Sequence, residues 1–484
     1  MKLRACCLLL SLAVGSGWPH PEGGGACTSD AHCQLNGVCD EVLRVCDCDA
    51  AWHGAHCEYL FVLPASPDTA YRKSGISSWG GRSWFSATDG QHHAFFSEFG
   101  GGCGMNMWDN TSRIVHAVAA GDGRYGPYER VGVAVPQYAH CVDSLVLPGT
   151  PPTWLLFHNG DGQPRKCMFG TADCDNKPIE WVATCNSTNG TTPVQPPPRG
   201  QPAPPLPAGF EPANGVHVAT SPDGPWRKAP AAALDGFPFG DCPAVALHPN
   251  GSIVAWPQSV IATFGNDTGM PNATSSLSIT TGGWGTPWRS VHPVVRIPRA
   301  LAEAASKESG ILGAMRFGDP TMWIDGRGGW HALMQNGDGP SPCGMMNDVG
   351  LAYRDGNPLP VGCTSHMWST DGVEWQMSSV AASNASILLT SGFEGNFFRQ
   401  RPKVKLSDDG SAVVAIFHGA MRCGERAVRK GGSPQNRCSE SHWPDHDHEQ
   451  VSDSVGIIAD RGMDRSFTTV VPVRTAKRNE KGLR

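Results

Sequence analysis

Charge is scarce in this chain: Asp, Glu, Lys and Arg make up 17% of it, against about a quarter in ordinary globular domains. No block of basic residues interrupts a net charge of −6, which excludes nucleic acid as the natural partner. Long apolar runs are missing beyond the first few residues, so no membrane span is expected in the mature chain. Helical patterning is nearly absent. Glycine (59) and proline (40) together form about a fifth of the 484 residues, and breakers at that density leave little room for helices. Two segments stand apart. Residues 298–309 (PRALAEAASKES) carry an early proline followed by alanine-rich helix propensity, and 193–208 is a polyproline-like insertion.

The start of the chain has Lys2 and Arg4, an apolar run over 5–14, and then Gly15-Ser16-Gly17. This layout predicts a secretory signal peptide over 1–20, with a signal anchor as the alternative. Of 18 cysteines, Cys6 and Cys7 fall inside that segment and leave an even number suited to disulfides in an oxidising compartment. N-x-S/T sequons at Asn110, Asn186, Asn189, Asn250, Asn266, Asn272 and Asn384 agree with a secreted, extracellular glycoprotein.

Residues 27–57 read CTSDAHCQLNGVCDEVLRVCDCDAAWHGAHC, six cysteines with almost no core-forming apolar content. A piece of this kind needs covalent staples to hold a fold. Its ending, Cys46-x-Cys48 followed by Trp52, Gly54 and Cys57, resembles the EGF-like family. That resemblance covers 26–58 and implies the pairs Cys27–Cys39, Cys33–Cys46 and Cys48–Cys57. Calcium-binding members of the family carry acidic ligands before the first cysteine. Here the approach is PEGGGAC, so no calcium is expected.

From residue 59 the composition changes and a repeat emerges. A turn pair followed by an apolar strand occurs at 88–99, 148–159, 248–259, 325–336 and 408–419. Asn/Asp-Gly or Pro-Gly supplies each turn. A second turn followed by an aromatic occurs at 121–128, 220–226, 280–288 and 369–375. Units with room for four strands, repeated five times, predict an all-β protein: a five-bladed β-propeller over 59–475, with a tail at 476–484. A long sandwich or two separate β domains is the alternative. The closing strand is expected at 466–474, pairing with 59–64.

Residues that begin the innermost strands of such a ring surround a funnel. The stretches before the hairpins read AHCVDS (139–144), GDCPAV (240–245), GDPTMW (318–323) and RQRPKV (399–404). Asp241, Asp319 and Arg401 therefore count as equivalents, with His140 as the second unit's counterpart and Asp143 three residues on. The five-unit pattern, the Asp-Pro strand starts, the Asp-Gly hairpins and SPDGPW are similar to glycoside hydrolase family 43, the arabinanases and β-xylosidases. The resemblance implies inward carboxylates acting as general acid, general base and pKa modulator, with Asp241, Asp319 and Glu98 as catalytic candidates. His140, Asp143, Arg399, Arg401 and His366 are the substrate-binding candidates. Each has a structural alternative: a turn aspartate, an internal salt bridge or a core histidine. The first unit's innermost strand, within GISSWGGRSWF (75–85), carries no aspartate, a departure from the family.

Trp79, Trp84, Trp108 and Trp323 either stack on sugar rings or pack between blades. His446 and His448 with Asp445 and Asp447 form either a metal site or a solvated loop; no metal or cofactor is expected. Cys343–Cys363 and Cys423–Cys438 are expected local pairs, while Cys141 and Cys242 sit at equivalent positions of neighbouring units, with Cys103 or one of Cys167, Cys174 and Cys185 as alternative partners. Two functions follow: carbohydrate processing in the ring, or non-catalytic binding of a glycan or an extracellular protein ligand.

Overall fold

The computed structural model describes residues 23–66, 69–73, 76–99, 112–119, 123–136, 139–160, 214–237, 242–256, 260–263, 272–274, 276–298, 314–336, 345–346, 352–354, 357–359, 364–383, 386–388, 390, 394–422 and 467–475. The expected signal peptide, the proline-rich insertion, residues 299–309 and 442–449, and Cys103, Cys167, Cys174, Cys185, Cys343, Cys363, Cys423 and Cys438 lie outside these. Among the described residues the fold is all-β. Its helical content is two 3-10 turns, Asp30–Cys33 and Ala231–Leu234.

Five antiparallel meanders follow one another along the chain. Sheet I comprises Ser78–Ser86, Gln91–Phe99, Ser112–Ala119 and Glu129–Val135. Sheet II comprises His140–Leu147, Thr153–Asn159, Asn214–Ala219 and Arg227–Lys228. Sheet III comprises Ala244–Leu247, Ile253–Trp256, Leu277–Thr280 and Trp288–Val291. Sheet IV runs through Ala314–Ile324, Trp330–Asn336, Thr364–Ser369 and Glu374–Ser383; Val260–Thr263 and Asn272–Thr274, from the excursion between the second and third strands of III, and Val294–Arg296 extend it into a closed sheet. Sheet V comprises Ser386–Leu388, Glu394–Leu406, Val413–Arg422 and Phe467–Pro472.

The hairpin turns share one local cause. Asp89, Asn250, Asp325 and Asp409 each accept, on Oδ1, a hydrogen bond from the backbone N–H two residues on, at 2.9–3.1 Å. A short polar side chain that mimics a backbone turn in this way reverses the chain without help from the core.

The inward strands form a ring. That of sheet I lies against those of II and V, that of III against those of II and IV, and that of IV against that of V. Each neighbouring pair of sheets also shares a buried apolar cluster. Phe95, Ile114, Val142 and Trp154 fill the gap between I and II, and Leu145, Phe157, Ile253 and Trp288 the gap between II and III. Val254, Trp256, Met322 and Trp375 lie between III and IV, Leu333, Val404 and Ile416 between IV and V, and Phe96, Val115, Phe417 and Val470 between V and I. Burial on both faces explains why the strands read as continuous apolar runs rather than alternating ones. Sheet V is completed from the other end of the chain: Leu63 N–H donates to Pro472 O at 2.8 Å and Arg474 N–H to Phe61 O at 3.0 Å.

Ahead of the ring sits a small piece held by disulfides Cys27–Cys39, Cys33–Cys46 and Cys48–Cys57. It docks on sheet IV. Arg327, from the hairpin turn of that sheet, donates to Leu35 O and to Asp49 Oδ2, both at 2.6 Å. Beneath this contact, Asn36 Nδ2 meets His366 Nδ1 at 3.2 Å.

Candidate functional site

One backbone irregularity recurs at the same place in all five inward strands. Gly80, Cys141, Cys242, Asp319 and Arg401 have φ of 59°, 60°, 56°, 49° and 55°. Four of the strands shift register there, so each carries a bulge that re-aims the residue before a regular strand resumes. Glycine occupies this left-handed conformation freely; the other four hold it at about 1 kcal/mol or more apiece. Neighbouring sheets support the bulges. Cys141 N–H donates to Ser97 Oγ at 2.9 Å, Cys242 N–H to Asn159 Oδ1 at 2.7 Å and Arg401 N–H to Gln335 Oε1 at 3.3 Å.

This register corrects the equivalences expected from sequence. The counterparts of Asp319 and Arg401 are Cys242 rather than Asp241, and Cys141 rather than His140. Asp241 lies outside the described residues, as does the side chain of Arg399. Cys141 and Cys242 are bonded to each other, with Cα atoms 5.1 Å apart, and so tie sheets II and III together at the bulge level. Their sulfurs and the Asp319 carboxylate lie within 4.8 Å of one another, but a disulfide removes both sulfurs as metal ligands.

Below the bulges the axis is filled with charge. After Arg401, alternation places Lys403 and Lys405 on the same side of their strand, and all three are buried. Lys403 Nζ donates to Asp143 Oδ2 at 3.1 Å and to Pro320 O at 2.9 Å. Arg82 Nη1 approaches the other Asp143 oxygen at 3.3 Å, and the N–H groups of Ser144 and Val245 also donate to this carboxylate. Burial pulls the Lys403 ammonium below its ordinary pKa, while Asp143 works to hold the charge. Lys405 donates to Ser83 Oγ at 3.0 Å, and burial brings it down to about 8.

At the bulge level, Asp319 and Arg401 are each 7% exposed. Asp319 Oδ1 stands 3.7 Å from Arg401 Nε, and neither atom makes a hydrogen bond. Arg401 Nη1 donates to His140 Nε2, and His140 Nδ1 meets Ser112 Oγ at 2.7 Å. Burial, and then Arg401, push His140 well below its usual pKa. A neutral imidazole is the form that accepts from the guanidinium, so His140 orients Arg401 from a fully buried position.

The remaining expected residues fall elsewhere. Glu98 has no exposure; it accepts from Tyr71 Oη, from Arg113 and, at 2.7 Å, from Arg130 Nη1. Held by two guanidinium groups and a phenol in the interior, this carboxylate is sealed from substrate. Burial and the Glu98 charge raise the Tyr71 phenol far above its ordinary value, so it stays a donor. Asp143 is likewise fully buried within the ion cluster. His366 lies away from the axis, in the contact with the small N-terminal piece. There its ring stacks 5.4 Å from His331, which is followed by Asp325 at 3.5 Å. Trp79 is fully buried over Gly419, where a Cβ would come within 2.2 Å of its ring, and Trp323 stacks on His331. Trp108 lies outside the described residues. The period-2 run Arg401-x-Lys403-x-Lys405 was a readable signal of a filled axis; the partners of Glu98 had none.

No protein-family model matches this chain, and no curated protein matches it. Solved structures with which it shares likeness include a family 117 glycoside hydrolase, Zg3597, of the marine bacterium Zobellia galactanivorans. That comparison has 13% identity and a TM-score of 0.42, covering 88% of this chain and 92% of that one. A family 43 β-xylosidase/α-arabinofuranosidase, CoXyl43, from a compost microbial metagenome follows at 10% identity and 0.42, over 85% and 95%. An N-acetylgalactosamine deacetylase from F. plautii, in complex with blood group B trisaccharide, follows at 8% and 0.40, over 85% and 94%. Likeness at this level decides nothing about chemistry, which rests on the side chains.

Proposed function

We propose that this chain is a secreted, glycosylated protein in which an EGF-like module precedes a five-bladed β-propeller, and that it binds carbohydrate at the axial mouth without cutting it. The ring of inward strands and the five clusters between sheets support the propeller. The cysteine pairing supports the EGF-like module.

The observation that carries the reading is the fate of the axial carboxylates. Hydrolysis with inversion needs two carboxyl groups about 6.5–9.5 Å apart with room for a water between them. Among the described candidates, Asp143 and Glu98 are sealed in ion clusters, and Asp319 alone keeps accessible surface. Beside it stands a guanidinium with an unbonded Nε. A carboxylate and a guanidinium side by side offer an acceptor and a donor for neighbouring sugar hydroxyls, and neither step requires a proton to move.

A glycan array on the purified protein, run beside hydrolysis assays on the bound glycans, tests this. Binding without turnover is expected, with affinity reduced about 10- to 100-fold by Asp319→Asn. Turnover abolished by Asp241→Asn or Asp319→Asn establishes a hydrolase instead.

A further inference from the structure

Among the described residues the cations at the axis outnumber the carboxylates facing them. Arg82, Arg401, Lys403 and Lys405 converge there, faced by Asp143, by Asp319 and, beside Lys405, by Asp408. Asp143 is taken by Lys403 and Arg82 together. Glu98, the other buried carboxylate nearby, is held by Arg113 and Arg130. His140 accepts from Arg401 as a neutral ring and adds no negative charge. Among the described residues Arg401 is left with a single carboxylate at 3.7 Å, beyond hydrogen-bond reach, and its buried Nε has no acceptor. A guanidinium removed from water without a hydrogen-bonded counter-charge is destabilising, unless something else supplies the acceptor.

The position of this unsatisfied group matters as much as its charge. Lys403 and Lys405 lie deeper in the axis and have acceptors: Asp143, Pro320 O, Pro243 O and Ser83. Arg401 is at the bulge, held in a left-handed backbone conformation by its neighbour Gln335 and aimed by His140. Strain and positioning are thus concentrated on the cation at the mouth, while the cations beneath raise the positive potential there.

Resting on the carbohydrate-binding reading above, we infer that the ligand is an acidic saccharide whose carboxylate or sulfate ester pairs with Arg401, while Asp319 accepts from a hydroxyl of the same residue. The planar donor fork of arginine matches an anion of either kind, and both bear oxygens at the spacing that two parallel N–H groups reach. Asp319 then acts as a selector of orientation. It repels a second acidic group and accepts only from the hydroxyl-bearing edge of the sugar. No bond is made or broken in this recognition.

Matched pairs of polysaccharides separate the sources: polygalacturonic acid against its methyl ester, and carrageenan against its desulfated form. Titration calorimetry on the full-length secreted protein is expected to show binding to an acidic member and at least a 10-fold loss on neutralising it. Arg401→Met is expected to abolish that preference and Arg401→Lys to retain part of it, whereas exposed Arg289→Ala leaves it unchanged. Circular dichroism of each variant identifies any loss that comes from unfolding, and in that case Arg401→Lys decides. Equal affinity for the acidic and neutral members overturns the inference while sparing the carbohydrate reading. Acid preference that survives in folded Arg401→Met or Arg401→Lys at full strength places the contact elsewhere and also overturns it. Absence of binding to any polysaccharide overturns both.

Discussion

Lys403 Nζ and Asp143 Oδ2 meet at 3.1 Å where neither side chain has appreciable contact with water. Breaking a buried pair is costly because the partner left behind stays charged and dry. Asp143→Asn removes the carboxylate that Lys403 and Arg82 both contact, leaving Lys403 only the more distant Asp319, and is expected to lower stability by about 3–5 kcal/mol. Lys403→Met should cost less, since Arg82 still serves Asp143. Denaturant midpoints of the two variants read the difference; an equal loss, or the reverse order, removes Arg82 from this account.

Glu98→Gln separates a structural carboxylate from a catalytic acid. It leaves Arg113 and Arg130 facing a neutral amide, so the melting temperature is expected to fall. The fraction that stays folded should bind glycan at wild-type affinity, because Glu98 has no route to the mouth. Loss of binding in a fully folded variant contradicts that placement.

Reducing or removing the Cys141–Cys242 bond reopens a loop of about a hundred residues in the unfolded chain, an effect of roughly 2–5 kcal/mol. Both cysteines have positive φ, so the nature of the replacement matters. The double change to glycine is expected to retain more stability than the double change to serine, since glycine alone takes up that conformation without a Cβ clash. Thermal melts of the two variants under identical conditions provide the comparison.

His92 and His116 are held to about 4 by burial, with nearby Lys405 and His93 respectively adding to the effect. Their folded pKa values lie below the unfolded value near 6.5, so the unfolded chain binds more protons between the two. Their contribution is complete above pH 6.5 and is lost as pH falls toward 4, at up to about 1.4 kcal/mol per pH unit for one such histidine. His116→Phe is expected to flatten the acid limb of a stability-versus-pH curve. An unchanged slope assigns the acid sensitivity to other groups.

Arg327 links the small N-terminal piece to the ring through Leu35 and Asp49. Its pairs are half-exposed, so Arg327→Ala should change global stability by no more than about 1 kcal/mol. Local opening is the more sensitive readout. Hydrogen exchange in residues 33–57 is expected to speed up in the variant while sheets I to III stay protected; uniform acceleration would speak against a local contact.

What could be read from sequence was what local chemistry dictates. Asp89-Gly90, Asn250-Gly251, Asp325-Gly326 and Asp409-Gly410 announce their hairpins because the turn aspartates and asparagine bond to their own backbone. The clasp between the two ends of the chain was legible too, since sheet V visibly lacked a strand. The register of Asp319 was not. Cys242 stands directly before proline, as Asp319 and Arg401 do, but matching by charge chose Asp241 one residue earlier, and only the backbone bulge shows which position is equivalent. The burial of Glu98 and Asp143 depended on Arg113, Arg130, Arg82 and Lys403, which reach them from other strands and, for Arg82 and Lys403, from other sheets. A charged residue looks the same in sequence whether it faces a ligand or an internal partner.

The clasp sets the order of events during synthesis. Leu63 is translated before its backbone partner Pro472, with all five hairpins between them. Until that late strand emerges, the backbone edge around Leu63 and the third-strand side of Val413–Arg422 wait unpaired. Chains cut short before Phe467 therefore carry four sheets and one open edge, a form that quality control can recognise by its missing seam alone.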